Sequence, residues 1–116
     1  MTLITNIPKP FHDASVTGVA ELMKAGQIVL TKVVIENTDV TKAYLQIFDA
    51  AALTDITLGT TTPTFVLPLP ASSLVIDDHE NGLMFKKGVC YAVTTTPGGN
   101  TSPGAISVLS TTYSVE

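Results

Sequence analysis

Arginine and tryptophan do not occur anywhere in this chain of 116 residues, and cysteine occurs once. Each absence narrows the chemistry. All six cationic side chains are lysines, set against ten carboxylates, for a formal net charge of −4. A nucleic-acid interface needs clustered cations to displace phosphate counterions, and arginine is its usual reader of phosphate and guanine. The only adjacent cations here are Lys86 and Lys87. The composition therefore speaks against nucleic acid as a partner, and equally against an anionic membrane surface. The single Cys90 permits no internal disulfide and no cysteine-rich zinc site. No apolar run approaches the roughly 20 residues of a membrane span. The start, Met1-Thr2-Leu3-Ile4-Thr5, lacks the basic-then-apolar order of a secretory signal.

Charge is also scarce. Charged residues make up 14% of the chain and aromatics 6%, whereas soluble domains carry roughly 25% charged residues. The hydrophobic fraction of 45% is too high for intrinsic disorder. Thr, Ser and Gly must cover the surface instead, in runs such as Thr60-Thr61-Thr62 and Thr94-Thr95-Thr96. The length suits one domain with an aliphatic core.

The clearest element is Gln27 to Glu36, where β-branched residues dominate and both faces are apolar in parts. That pattern predicts a central strand. Lys42 to Phe48 is a second strand, with Leu45 and Ile47 on one face and Tyr44, Gln46 and Phe48 on the other. A semi-helical connector is expected at Asp49–Leu53. Thr64 to Pro70 contains Pro68 and Pro70, which cannot donate to a sheet ladder, so this strand belongs at an edge. Ser73–Asp77 is a short strand, Asp78–Gly82 a polar turn, and Leu83–Phe85 a further strand. Val89–Thr95 alternates as a strand, and Cys90 within it is expected to be a small buried core residue. Pro97 to Gly104 is a loop by composition, and Ala105–Val115 is the last strand. Residues 15–26 read as a strand or a short helical turn ended by Gly26. Pro8 and Pro10 favour an extended segment, so residues 1–14 are expected to form an N-terminal arm and residues 15–116 the domain. Seven or eight short strands between turn signals predict an antiparallel all-β sandwich or barrel.

Catalytic signatures are missing. There is no Gly-x-Ser-x-Gly elbow, and His12 and His79 lack an evident orienting partner. Gly98-Gly99 opens no helix, so no phosphate loop is expected. Asp77-Asp78-His79-Glu80 is the one dense group of ligand-type side chains, but its spacing matches no calcium loop. No enzyme activity, metal or cofactor is expected. Tyr44, Tyr91 and Tyr113 are the only amphipathic aromatics on which a carbohydrate-binding module could be built.

One stretch carries a resemblance. It contains Ala43-Tyr44-Leu45-Gln46-Ile47-Phe48-Asp49, then Leu58-Gly59-Thr60-Thr61-Thr62-Pro63-Thr64-Phe65-Val66-Leu67-Pro68-Leu69-Pro70. Asn81-Gly82-Leu83-Met84-Phe85 and Gly88-Val89-Cys90-Tyr91-Ala92-Val93-Thr94-Thr95-Thr96 follow. This order resembles small β-sandwich virion proteins of tailed bacteriophages, over about half of the chain; residues 1–41 carry no matching motif. The resemblance implies an antiparallel, jelly-roll-like β-sandwich of seven or eight strands with a short helical turn. It implies a structural virion protein without catalytic residues, assembled in the bacterial host cytoplasm. The expected role is a capsid decoration, or cement, protein that bridges capsid subunits. A tail, neck or head-fibre component, or a carbohydrate-binding module for host attachment, is the alternative. Its partners would be the major capsid protein or other virion proteins, with a homo-oligomer, trimer before dimer. Ile7, Pro8, Lys9, Pro10 and Phe11 in the arm are the expected partner contacts.

Overall fold

Strand formation follows side-chain shape. Branching at Cβ restricts χ1 and suits the pleated surface, and the stretch richest in such residues forms one of the longest strands. The computed structural model describes residues 8–115. Among them lie eight strands: β1 (Lys9–Val16), β2 (Glu21–Ala25), β3 (Ile28–Asn37), β4 (Ala43–Asp49), β5 (Phe65–Leu69), β6 (Ser73–Phe85), β7 (Gly88–Thr94) and β8 (Ser107–Val115). A 3-10 turn at Leu53–Asp55 interrupts the β4–β5 connection.

The strands form two four-stranded antiparallel sheets, ordered β1-β8-β3-β6 and β2-β7-β4-β5. The pairing is nested. β4 pairs with β5, β3 with β6, β2 with β7, and β1 with β8. A long hairpin folded over on itself produces this order, which is that of a jelly roll. The expected antiparallel sandwich is therefore the fold. The expected central strand, β3, lies between β8 and β6. The proline-bearing β5 lies at a sheet edge, as its missing donors require.

The core lies between the sheets. Ile28, Leu30, Val33, Ile35 and Leu109 from the first sheet meet Leu45, Ile47, Leu69, Val89, Tyr91 and Val93 from the second. The inward positions of β3 change phase between Leu30 and Val33. Thr31 is the cause: it is an extra residue opposite β8, whose Tyr113 and Thr112 pair with Leu30 and Lys32. A bulge moves the inward set by one position, which explains apolar residues on both faces of this run.

β7 is buried along its whole length. Its outer face is covered by loops rather than a third sheet. Phe48, Ala50 and Cys90 form a second apolar cluster beneath Ile56 and Leu58 of the β4–β5 connection. Beside it, the buried Gln46 donates from Nε2 to Thr94 Oγ1 at 2.5 Å and to the Gly99 carbonyl at 3.0 Å.

Two expectations are corrected. Asp78–Gly82 is not a turn; it lies within β6, a single strand from Ser73 to Phe85. Asp78 pairs with Lys32 and Leu83 with Leu30, so residues 79–82 bow out opposite Thr31 alone. Gly82 permits this at φ +80, and a Cβ there would lie 2.1 Å from Val29 Cγ1. Of the two readings of residues 15–26, the strand holds at Glu21–Ala25, β2, because pairing with β7 outweighs the weak helical preference of these residues. Residues 9–14 of the expected arm belong to β1 and pair along β8. Residues 1–7 of that arm lie outside the described residues.

Candidate interaction surfaces

β1 splits the expected partner contacts between two faces. Pro8, Lys9 and Pro10 are exposed. Phe11 points inward, half-buried against the core, with its ring edge-on to Tyr91 at 5.8 Å and 72°. Asp13, two residues on, shares that face and accepts a 2.6 Å hydrogen bond from the Tyr91 hydroxyl. Burial is the main reason the Tyr91 phenol titrates well above its usual range, and the bond to Asp13 adds to it. Pro10 and His12 face outward, where His12 Nδ1 lies 2.8 Å from Ser110 Oγ. Ile7 lies outside the described residues. The structure thus leaves Pro8, Lys9 and Pro10 exposed and commits Phe11 largely to the fold.

The outer face of the first sheet carries an apolar strip that the sequence reading did not single out. Register places Val108, Glu36 and Leu74 side by side, then His12, Ser110, Val34 and Ile76, then Pro10, Thr112, Lys32 and Asp78. Leu74 is 61% exposed and Ile76 59%, both at the edge strand β6. Met84, 50% exposed beside Val29, lies apart from them, beyond the Lys32–Asp78 pair and the bowed residues 79–82. The available signal was the apolar character of both parities in Leu74-Val75-Ile76. Only one parity can face the core of an edge strand, so the other is left outside.

The acidic stretch does not converge on a site. Asp77 and His79 point inward and bond to each other at 2.5 Å, while Asp78 and Glu80 are exposed. His79 also meets the Phe65 ring edge-on at 5.7 Å, linking β6 to the edge of the other sheet. Among the described residues no group of three His, Cys, Asp or Glu side chains is placed to hold a metal ion.

A cavity of about 530 Å³ opens between the β4–β5 connection and the β6–β7 turn, walled by Asp49, Asp55, Thr61, Thr62, Thr64 and Lys87. Two of its polar side chains, Asp49 and Thr64, tie the walls to each other. The Asp49 carboxylate accepts the backbone N–H groups of Lys86 at 3.1 Å, Lys87 at 2.8 Å and Gly88 at 3.4 Å. Thr64 Oγ1 accepts the Asp49 N–H at 3.0 Å. These bonds hold the loop and turn together.

The tyrosines lie apart. Tyr44 is half-buried on the outer face of the second sheet with Lys42 Nζ 5.2 Å from its ring centre. Tyr91 is buried and Tyr113 packs against the core from the first sheet. They share no platform for a sugar ring. Cys90 is buried as expected, and desolvation pushes its thiol pKa up. No family model, curated protein or solved structure matches this chain.

Proposed function

We propose that the protein is a non-catalytic structural component of a tailed-phage virion, acting as a capsid decoration protein. The observation that carries this reading is the exposed apolar pair Leu74 and Ile76 on the outer face of a chain with only 14% charged residues. Large exposed apolar side chains next to one another mark surfaces that meet other proteins. A surface poor in charge loses little on desolvation when it is covered. The nested jelly-roll order supports the same reading as an architecture common in capsid-associated domains, although fold alone does not assign function. In this role several copies bridge major capsid subunits, and simultaneous contacts multiply the affinity of each. Pro8, Lys9 and Pro10 at the β1 edge are the proposed capsid contacts. The virion, assembled in the bacterial cytoplasm, is the proposed location.

The test is binding of purified protein to undecorated heads, with imaging of the particle. Saturable binding, with density on the outer head surface, is the expected result. Absence of head binding together with location at a tail or neck would reject the decoration role.

A further inference from the structure

Among the described residues four strands stand at sheet edges: β1, β6, β2 and β5. An unprotected edge offers free N–H and C=O groups to any extended chain, so natural edges are guarded. β1 contains Pro10 and follows Pro8, and β5 contains Pro68 and precedes Pro70. β2 has five residues and a register break between Leu22 and Lys24. β6 differs from all three. It runs 13 residues without proline, and from Ser73 to Asp78 each residue pairs in unbroken register with β3. Its charges, Asp77, Asp78 and Glu80, collect beyond Ile76 and leave Ser73–Ile76 uncharged.

We propose that β6 pairs antiparallel with β6 of a second copy, about a two-fold axis at Val75. In this register Val75 faces its own counterpart. Leu74 faces Ile76 of the other copy, twice over, and Ser73 faces Asp77. The four exposed apolar side chains then form one patch, extended on each side by Val34 of β3. Directly opposed residues lie close enough for such side chains to pack. Asp78 falls opposite Ser72, which stands before the other strand begins. The two Asp78 carboxylates are thereby held about 20 Å apart along the strands at roughly 3.3 Å per residue, about two screening lengths at physiological salt.

Neighbouring in-phase registers are worse. An axis at Ile76 presses Asp78 against Leu74. An axis at Asp77 opposes the two Asp77 carboxylates directly. An axis at Leu74 leaves Ile76 without an apolar partner. Self-complementarity about a two-fold axis is what a closed dimer requires, and the favoured register joins the two first sheets into one. β1 is the far edge of each sheet, so the dimer leaves Pro8, Lys9 and Pro10 uncovered. This inference does not rest on the virion reading, because self-association and head binding are measured separately.

The experiment uses the full chain in sedimentation or light scattering. The expected mass is twice the 12.2 kDa of one chain. Ile76→Lys should raise the dimer dissociation constant by about a hundredfold, since each dimer loses two central apolar contacts. Unchanged circular dichroism shows that the fold survives, as the exposure of Ile76 predicts, while the melting temperature should fall only by what the lost association contributed. Register is tested with Leu74→Cys and Ile76→Cys. A mixture of the two variants should cross-link under mild oxidation far more than either alone. A monomer at all concentrations, a trimer, or a dimer indifferent to Ile76→Lys would overturn the proposal, as would equal cross-linking in the mixed and single samples.

Discussion

Replacing Asn37 by alanine tests how the two sheets are joined at one end of the sandwich. Asn37 ends β3 and is 1% exposed. Its Nδ2 donates to the carbonyls of Thr41 at 3.0 Å, Leu69 at 3.2 Å and Pro70 at 3.1 Å, and its Oδ1 accepts the Asp39 N–H at 3.0 Å. Leu69 belongs to β5, so this side chain links one sheet to the other. The three carbonyls can only accept, which fixes the amide orientation. Alanine strands the Leu69 carbonyl and the Asp39 N–H inside the protein, at roughly 1–3 kcal/mol each. The bonds to Thr41 and Pro70 are nearer the surface and can be replaced by water. The expected loss is therefore about 3 kcal/mol, and roughly 12 °C of melting temperature at ~4 °C per kcal/mol. Urea unfolding followed by circular dichroism measures it.

Asn37→Asp adds a sign test. A carboxylate facing three carbonyl oxygens is driven toward its neutral form, so its folded pKa lies above the ordinary value near 4. The folded variant then holds more protons than the unfolded chain, and its stability falls as pH rises. Its deficit relative to the parent should be smaller at pH 4 than at pH 7. An alanine cost below about 1 kcal/mol, or an aspartate variant as stable as the parent at pH 7, would refute the reasoning.

Tyr91→Phe removes the 2.6 Å bond to Asp13 and keeps the packing against Phe11. It should cost about 1–2 kcal/mol, with faster amide hydrogen exchange concentrated in β1. Gly88→Ala would place a Cβ 2.6 Å from the Lys24 carbonyl oxygen and 2.7 Å from that of Ala50, at φ +151. Both are backbone atoms, so a loss of more than about 3 kcal/mol, or no soluble protein, is expected in denaturation and expression assays. The Asp39 carboxyl is held below its usual pKa by the backbone N–H of Thr41 first, then the Thr41 hydroxyl and the Ala105 N–H. That contribution is present above the unfolded pKa and is lost as pH falls through the folded one. Asp39→Asn should therefore flatten the decline of stability below about pH 4, measured by urea titrations across pH.

The strands legible in the sequence were those with local signals. β3, β4 and β7 announce themselves by branching and alternation, and Pro68 by what it cannot donate. Asp78–Gly82 looked like a turn because its composition is polar. It is strand because the register of β3 holds Asp77 and Asp78, and a glycine lets the following residues bow out. The phase change at Thr31 and the loops over Phe48 and Cys90 depend on partners far away in the chain, so no local pattern carries them. The exposure of Pro8, Lys9 and Pro10 was foreseeable from their position before the core. The exposure of Leu74 and Ile76 was not, because it depends on β6 being an edge.

The nested order has a consequence for biosynthesis. In the first sheet β8, last of the strands in sequence, lies between β1 and β3. Until β8 has been made, β1 has no ladder to join, although it precedes the other described strands in the sequence. A chain stopped short of Ser107 leaves Pro8, Lys9 and Pro10 without their place beside β8. Non-local pairing of this kind is slow to form. Lys9 and Pro10, two of the proposed capsid contacts, are held in their folded arrangement only in chains that contain β8.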